Sequence, residues 1–197
     1  MAVAIRGKRM GQRQRGFTLM ELMVAVAIVG ILATIAMFAY NKYIKTARSS
    51  AEVPAVLAEF QLRENQFAVE NGGFFLSTGA NENDKWPPTP SGSKTTTSIA
   101  GGPQNCAPAP GGPWCRLHIT LDKPGLYCAY VAIAGVGRNA AGIGPIANQF
   151  GLTAGTVPVR NWYYIVAECD WDDDNTSNEL WFVRSDVNGR QVLNKSN

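Results

Sequence analysis

The sequence has very little of the chemistry that enzymes use. It contains one histidine, His118, in 197 residues, and no serine or cysteine motif stands beside it. The sequence around His118 predicts a strand over residues 116–121, and a single histidine is more often structural than catalytic. We therefore expect a protein that is not an enzyme.

Cysteine is also scarce, and all four cysteines lie in the second half of the chain. The two nearest in sequence, Cys106 and Cys115, are nine positions apart, whereas zinc sites use close pairs of soft ligands. An even number of cysteines in an exported region indicates two disulfides, although four cysteines allow three pairings. We favour Cys106–Cys115, which closes a short loop, and Cys128–Cys169, which joins two predicted strands.

A net positive charge is absent outside the first sixteen residues. That leader contains five basic residues and no acid, and the remaining residues contain 13 basic and 15 acidic residues, a net charge of −2 against +3 for the whole chain. A broad basic surface is therefore missing, and nucleic-acid binding, although possible, is unsupported by the charge.

One long apolar segment follows the basic leader. Between Phe17 and Tyr40 the only charged residue is Glu21. A helix over this segment would rise about 36 Å, enough to cross a bilayer core of about 30 Å. The excess of basic residues before the segment predicts a cytoplasmic N-terminus and an exported remainder.

The leader differs from an ordinary secretory signal, in which cleavage follows a shorter apolar core. Here the composition changes before the core, at Arg15-Gly16-Phe17. The run from Gly16 to Met23, GFTLMELM, resembles the cleavage and assembly motif of type IV prepilins nearly residue for residue. The resemblance is specific, residue by residue, over residues 11–45. Beyond them only the expected order of helix and strands is similar.

The resemblance implies a role for three residues. A prepilin peptidase would cut after Gly16 and methylate Phe17, and Glu21 would set the register of a filament. A carboxylate near a membrane core costs about 2.5–3.5 kcal/mol, so it needs a partner. The resemblance favours the Phe17 amine of a neighbouring subunit; pairing with the amine of its own Phe17, one helical turn away, is the alternative.

The sequence departs from many major pilins at Phe38, where they have a proline, while Gly30, the other flexible point, is kept. Without that proline we expect a more continuous helix. This difference modestly favours a minor pilin or a pseudopilin of a type II secretion system.

The helical periodicity continues to about residue 70 and ends at Asn71-Gly72-Gly73. Pro54 should bend this helix. An apolar stripe predicts packing on a sheet; it contains Val53, Val56, Leu57, Phe60 and Phe67. We expect the charged residues on the other faces: Glu52, Glu59, Arg63, Glu64 and Glu70.

The remaining chain predicts an α+β fold of the type IV pilin kind, a long N-terminal helix packed on an antiparallel sheet. We expect strands at 116–121, 126–133, 162–169 and 179–185. The predicted parts are a leader (1–16), a transmembrane and assembly helix (17–40), its amphipathic continuation (41–71), a loop between helix and sheet called the αβ-loop (72–115), and the head (116–197). The αβ-loop is either a partner-binding surface or a solvated connector held by Cys106 and Cys115.

An acidic cluster follows the third predicted strand. Asp170, Asp172 and Asp174 alternate as in the opening of a calcium loop, but the later ligand positions do not match. A solvated turn is favoured over a calcium site, and no other cofactor is expected. Among the tryptophans, those in strands should fill the core, which leaves Trp86 and Trp114 as exposed candidates for binding.

The sequence thus predicts a filament subunit held in the bacterial inner membrane with a periplasmic head and then assembled into a pilus or a periplasmic pseudopilus. Its expected partners are copies of itself or other pilins, the prepilin peptidase, the inner-membrane assembly machinery and, before assembly, lipid. The alternatives are a secretion pseudopilin and a minor or tip pilin that binds DNA or a surface. A membrane-anchored enzyme is a further class, with no catalytic constellation to support it.

Overall fold

The computed structural model describes residues 16–88, 95–96, 112–119, 125–170, 179–187 and 191–194. The chain divides into two compact units, the first ending at Asn41 and the second running from Lys42 to Asn197. The predicted leader, apart from Gly16, lies outside the described residues.

Helix α1 spans Leu19–Glu70 and contains Pro54. This agrees with the helix predicted over residues 17–70. It ends in a turn in which the N–H of Gly73 donates to the carbonyl of Ala68 at 2.7 Å. Gly72 and Gly73 have φ of 66° and 87°, a conformation that costs glycine nothing and side chains about 1–2 kcal/mol. The two glycines therefore set the C-terminus of α1.

The second unit contains a four-stranded antiparallel sheet in the order β3-β4-β5-β6. Its strands are β3 (Cys128–Gly135), β4 (Trp162–Cys169), β5 (Glu179–Arg184) and β6 (Gln191–Asn194). A separate pair joins β1 (Thr95–Thr96) to β2 (Gly125–Leu126). The strands predicted at 162–169 and 179–185 are confirmed, and the strand predicted at 126–133 is present two residues later, as Cys128–Gly135. Strand β6 was not predicted, because four residues with two apolar side chains carry too weak a pattern.

The strand predicted over residues 116–121 is wrong for residues 116–119, the part of it that the structure describes. Residues Pro113–Arg116 form a short helix, α2, and His118 lies in a turn with φ of 52°. Pro113 favours a helix start because its ring sets φ and its missing N–H is not needed there. Leu117 and Ile119 are buried while His118 is exposed, so these side chains alternate in burial within a turn and not within a strand.

Both faces of the sheet are covered. Side chains of α1 pack on one face against Tyr130, Tyr163 and Ile165. On the other face, helix α3 (Pro145–Gln149) and Leu152 pack against Trp162, Tyr164 and Phe182. The predicted α+β class is confirmed, and so is the apolar stripe, since Val53, Val56, Leu57 and Phe60 are buried and Phe67 is partly buried.

The charged residues of α1 do not all lie on its other faces. Glu52 and Glu64 are 3% and 0% exposed, which contradicts the expectation. Glu52 accepts hydrogen bonds from the N–H groups of Tyr127 and Cys128 and from the hydroxyl of Tyr130, at 3.0, 3.2 and 2.9 Å. These donors come from a distant part of the chain, so periodicity could not reveal them.

Candidate functional site

The first unit exposes an apolar helical surface. Within α1, Leu19–Asn41 is long and apolar enough to cross a membrane, with a mean hydropathy of 2.7 and none of it buried within the chain. A helix that is apolar all round is stable only when lipid or other protein covers it. The large exposed side chains include Leu22, Val26, Val29, Leu32, Met37 and Phe38.

Gly16 and Phe17 precede this helix. Phe17 is 85% exposed, and a Cβ placed on Gly16 would meet no atom within 4 Å. Both residues are therefore exposed. Their predicted roles in cleavage and methylation stay predictions.

Glu21 folds back onto the start of α1. Its Oε2 accepts hydrogen bonds from the N–H and the hydroxyl of Thr18, at 3.0 and 2.9 Å. The Thr18 hydroxyl in turn accepts from the N–H of Glu21 at 3.3 Å. This reciprocal arrangement is a capping box, in which two residues satisfy backbone donors at a helix N-terminus.

The sequence reasoning missed Thr18, although Thr18-Leu19-Met20-Glu21 has the T-x-x-E spacing of a capping box. The single chain therefore supplies a local partner for the Glu21 carboxylate. Neither pairing with a Phe17 amine, from its own chain or a neighbour, is tested by this arrangement. Glu21 stays a predicted assembly residue.

The disulfide Cys128–Cys169 joins the first residue of β3 to the last residue of β4, which are directly opposed in the sheet. This predicted pairing is confirmed. Cys115 is also disulfide-bonded, but its predicted partner Cys106 lies outside the described residues. The confirmed disulfide links β3 to β4 at one end of the sheet. At the same end, the Glu52 carboxylate accepts a hydrogen bond from the N–H of Cys128.

The first part of the αβ-loop runs along the outer edge of β3. The Thr78 N–H donates to the Ala132 carbonyl at 2.8 Å, and Trp86 and Tyr130 exchange two backbone hydrogen bonds of 2.9 and 2.8 Å. Glu82 accepts from the N–H groups of Ile146 and Ala147 at 2.8 and 2.7 Å. This part of the loop therefore protects a sheet edge from pairing with another chain.

The prediction that Trp86 and Trp114 are exposed is wrong. Trp114 is 7% exposed and packs edge-on against Phe60, with ring centroids 4.9 Å apart. Trp86 is partly buried against Trp114, with ring centroids 5.8 Å apart. Both rings fill the core beside α1, because α2 and the αβ-loop bring them there.

The acidic cluster begins at Asp170, which is 2% exposed and follows β4. Asp172 and Asp174 lie outside the described residues, so the calcium prediction is not tested. Among the residues that the structure describes, no group of three or more potential metal-binding side chains is found.

The comparisons with known proteins each match a part of the chain. The family model for the prokaryotic N-terminal methylation motif matches residues 11–37. The chain is 40% identical over 94 residues to a fimbrial protein of Neisseria meningitidis serogroup A, covering 47% of this chain and 48% of the relative. It is 44% identical over 78 residues to the type IV major pilin protein PilE1 of Neisseria gonorrhoeae, covering 40% and 39%.

A third relative is the type IV major fimbrial protein FimA of Dichelobacter nodosus, which is 59% identical over 46 residues, 23% of this chain and 28% of the relative. The chain spans about half or less of the length of these relatives. No solved structure matches it significantly.

The methylation motif, the exposed apolar helix and the α+β head define a pilin-like protein. The match to the motif and the similarity to fimbrial relatives support a type IV pilin.

Proposed function

We propose that this chain is a structural subunit of a type IV pilus or a related filament. The observation that carries the proposal is the exposed apolar helix Leu19–Asn41, none of which is buried within the chain. Lipid would cover this surface while the subunit is held in the inner membrane with its head in the periplasm. In the filament, the corresponding helices of other subunits would replace the lipid.

Processing by a prepilin peptidase precedes assembly in this proposal. The match to the methylation motif covers both sides of Gly16, and Gly16 offers open space to a protease. Cleavage after Gly16 would create a Phe17 amine, which is then N-methylated. That amine would carry a positive charge near Glu21.

A surface pilus is favoured over a secretion pseudopilus. The relatives from N. gonorrhoeae and D. nodosus are named type IV major pilin or fimbrial proteins. The filament partners are then copies of this chain or other pilins, delivered by the inner-membrane assembly machinery. A pseudopilin of a type II secretion system is the second candidate, because Phe38 stands where many major pilins have a proline.

A mass spectrum of sheared surface filaments tests the proposal. We expect a chain that begins at N-methylated Phe17, because the break between basic leader and apolar helix falls at Gly16. Replacing Gly16 with leucine should leave the leader attached, since a bulky side chain would obstruct the close approach of the protease.

Gly30→Ala is the matched control. A Cβ placed on Gly30, like one on Gly16, would meet no atom within 4 Å, so the added methyl group causes no clash in the single chain, and cleavage should proceed normally. A mature chain that starts at Met1, or beyond residue 33, would contradict the prepilin assignment. A processed chain that is absent from sheared filaments, and whose loss blocks protein secretion, would favour the pseudopilin.

A further inference from the structure

Glu64 occupies a core position of α1. The buried residues Leu57 and Phe60 precede it by seven and four positions, and Phe67 follows by three, so all lie on one face of the helix. Glu64 is 0% exposed. Leu62, two positions earlier, is 59% exposed. A carboxyl group therefore interrupts the apolar stripe that packs on the sheet.

The Glu64 carboxyl has only part of the hydrogen bonding that a buried carboxylate requires. Its Oε2 accepts from the N–H of Leu76 at 3.0 Å, whereas Oε1 is buried and has no hydrogen-bond partner. By contrast, both oxygens of the buried Glu82 accept from backbone N–H groups. An ionised carboxylate is thus poorly accommodated at Glu64.

No cation among the described residues offsets a charge on Glu64. The segment Gly73–Leu76, which covers it, has no titratable side chain, and the facing titratable group on β4 is Tyr163, whose pKa is raised to about 12 by burial and by the Glu64 charge. Other charged groups of this unit have partners of their own: Arg63 pairs with Glu59, Glu70 accepts from the Gln66 amide, Arg116 lies over the Phe67 ring, and Arg184 pairs with Asp186.

Burial favours the neutral form of Glu64 and raises its pKa to about 7, although the Leu76 hydrogen bond acts in the opposite direction. The ordinary value is about 4.3–4.5. A carboxyl group whose pKa is raised in the folded protein stabilises the folded arrangement most at pH values below its ordinary pKa. That contribution is lost as the pH rises from about 4.5 to 7.

We propose that Glu64 is a pH-responsive latch for the start of the αβ-loop: proton uptake by its enclosed carboxyl holds the segment Gly73–Leu76 on α1, and proton loss favours release of that segment. Release would bring water to the carboxylate. It would also loosen the chain that continues into the β3 edge, where Ser77 and Thr78 bind the backbone of Ala134 and Ala132. The latch therefore couples pH to the attachment of the αβ-loop.

Hydrogen exchange of the full chain in detergent micelles tests the latch. The amides of Leu76 and Thr78 should lose protection between pH 5 and 7, after correction for intrinsic exchange rates. The loss should approach tenfold per pH unit, because opening releases one proton. Above about pH 7.5 the protection should level off.

Glu64→Gln should remove this pH dependence, since the amide keeps the size and cannot ionise. Glu59→Gln is the matched control on the same helix and should preserve it, because Glu59 is a partly exposed partner of Arg63. Titration of the Glu64 carboxyl by carbon NMR in the unsubstituted chain gives a second readout if the variant fails to fold. Equal pH profiles in the unsubstituted chain and Glu64→Gln, or titration of Glu64 near 4.5, would overturn the proposal.

Discussion

Three of the buried glutamates, Glu52, Glu64 and Glu82, connect distant segments by accepting backbone hydrogen bonds. Glu52 ties α1 to β3, Glu64 ties α1 to the start of the αβ-loop, and Glu82 ties that loop to α3. A buried carboxylate is stable when donors surround it and costly when they do not. The three residues therefore differ in their contribution to stability, although all three are glutamate.

At the scale of the residue, we expect Glu52→Ala to destabilise the second unit by about 3 kcal/mol, because it leaves the N–H groups of Tyr127 and Cys128 and the hydroxyl of Tyr130 without this acceptor. The Tyr130 hydroxyl remains protonated, since burial and the Glu52 charge raise its pKa. Urea unfolding of the unassembled chain in detergent measures the change.

Glu59→Ala provides the comparison for Glu52→Ala. Its ion pair with Arg63 is about one quarter exposed on each side, so its loss should cost less than about 1 kcal/mol. Equal unfolding midpoints for the two variants would show that Glu52 does not hold β3 to the helix.

At the scale of the element, α1 has two different surfaces within the second unit. Phe60 is 0% exposed and contacts Trp114 and Tyr130, with ring centroids 4.9 and 6.4 Å away. Trp86 of the αβ-loop and Trp114 of α2 pack against each other and complete this core beside α1. The helix is therefore held by side chains from segments far apart in sequence.

We expect Phe60→Ala to destabilise the unassembled chain by about 3–5 kcal/mol, because a large aromatic side chain is removed from a closed core. Leu62→Ala, two residues along the same helix, should change stability by less than about 0.5 kcal/mol, since Leu62 is 59% exposed. Thermal unfolding of both variants in detergent gives the comparison. A similar loss in both would mean that the buried face has been assigned incorrectly.

At the scale of the whole molecule, the first unit leaves its apolar side chains uncovered in the single chain. Its apolar side chains are exposed from Leu19 to Tyr40, whereas the second unit buries its own core. The Glu21 carboxylate is the only charge in that apolar surface, and Thr18 satisfies it locally. Assembly would bring this carboxylate to the Phe17 amine of a neighbouring subunit in the function proposed above.

We expect Glu21→Ala to remain in the membrane, because removing a charge favours insertion, and to lose most of its filament yield. Membrane fractionation and the mass of sheared filaments measure the two effects. Thr34→Ala is a suitable control, since Thr34 lies in the same segment and its hydroxyl donates only within the helix, to the Ile31 carbonyl at 2.7 Å. Normal filament yield from Glu21→Ala, or failure of that variant to insert, would contradict the assigned role.

The sequence alone determined the features that depend on neighbouring residues. The break at Gly16, the long apolar run and the glycine stop after Glu70 predicted the helix, and a segment rich in aromatic and β-branched residues predicted β4 over its full length. The pairing of Cys128 with Cys169 was also correct, because each lies at the end of a strongly apolar run. The capping residue Thr18 could have been predicted from its spacing to Glu21.

The tertiary structure alone decided where side chains lie when distant segments must meet. Glu64 has the helical spacing of the apolar stripe but was assigned to the surface because it is charged, and Trp114 was assigned there because it lies in a loop-like segment. Glu64 is buried where it accepts a hydrogen bond from the N–H of Leu76. Trp114 is buried because α2 places its ring against Phe60. Burial of a polar or aromatic group depends on partners tens of residues away, and a local pattern carries no information about those partners.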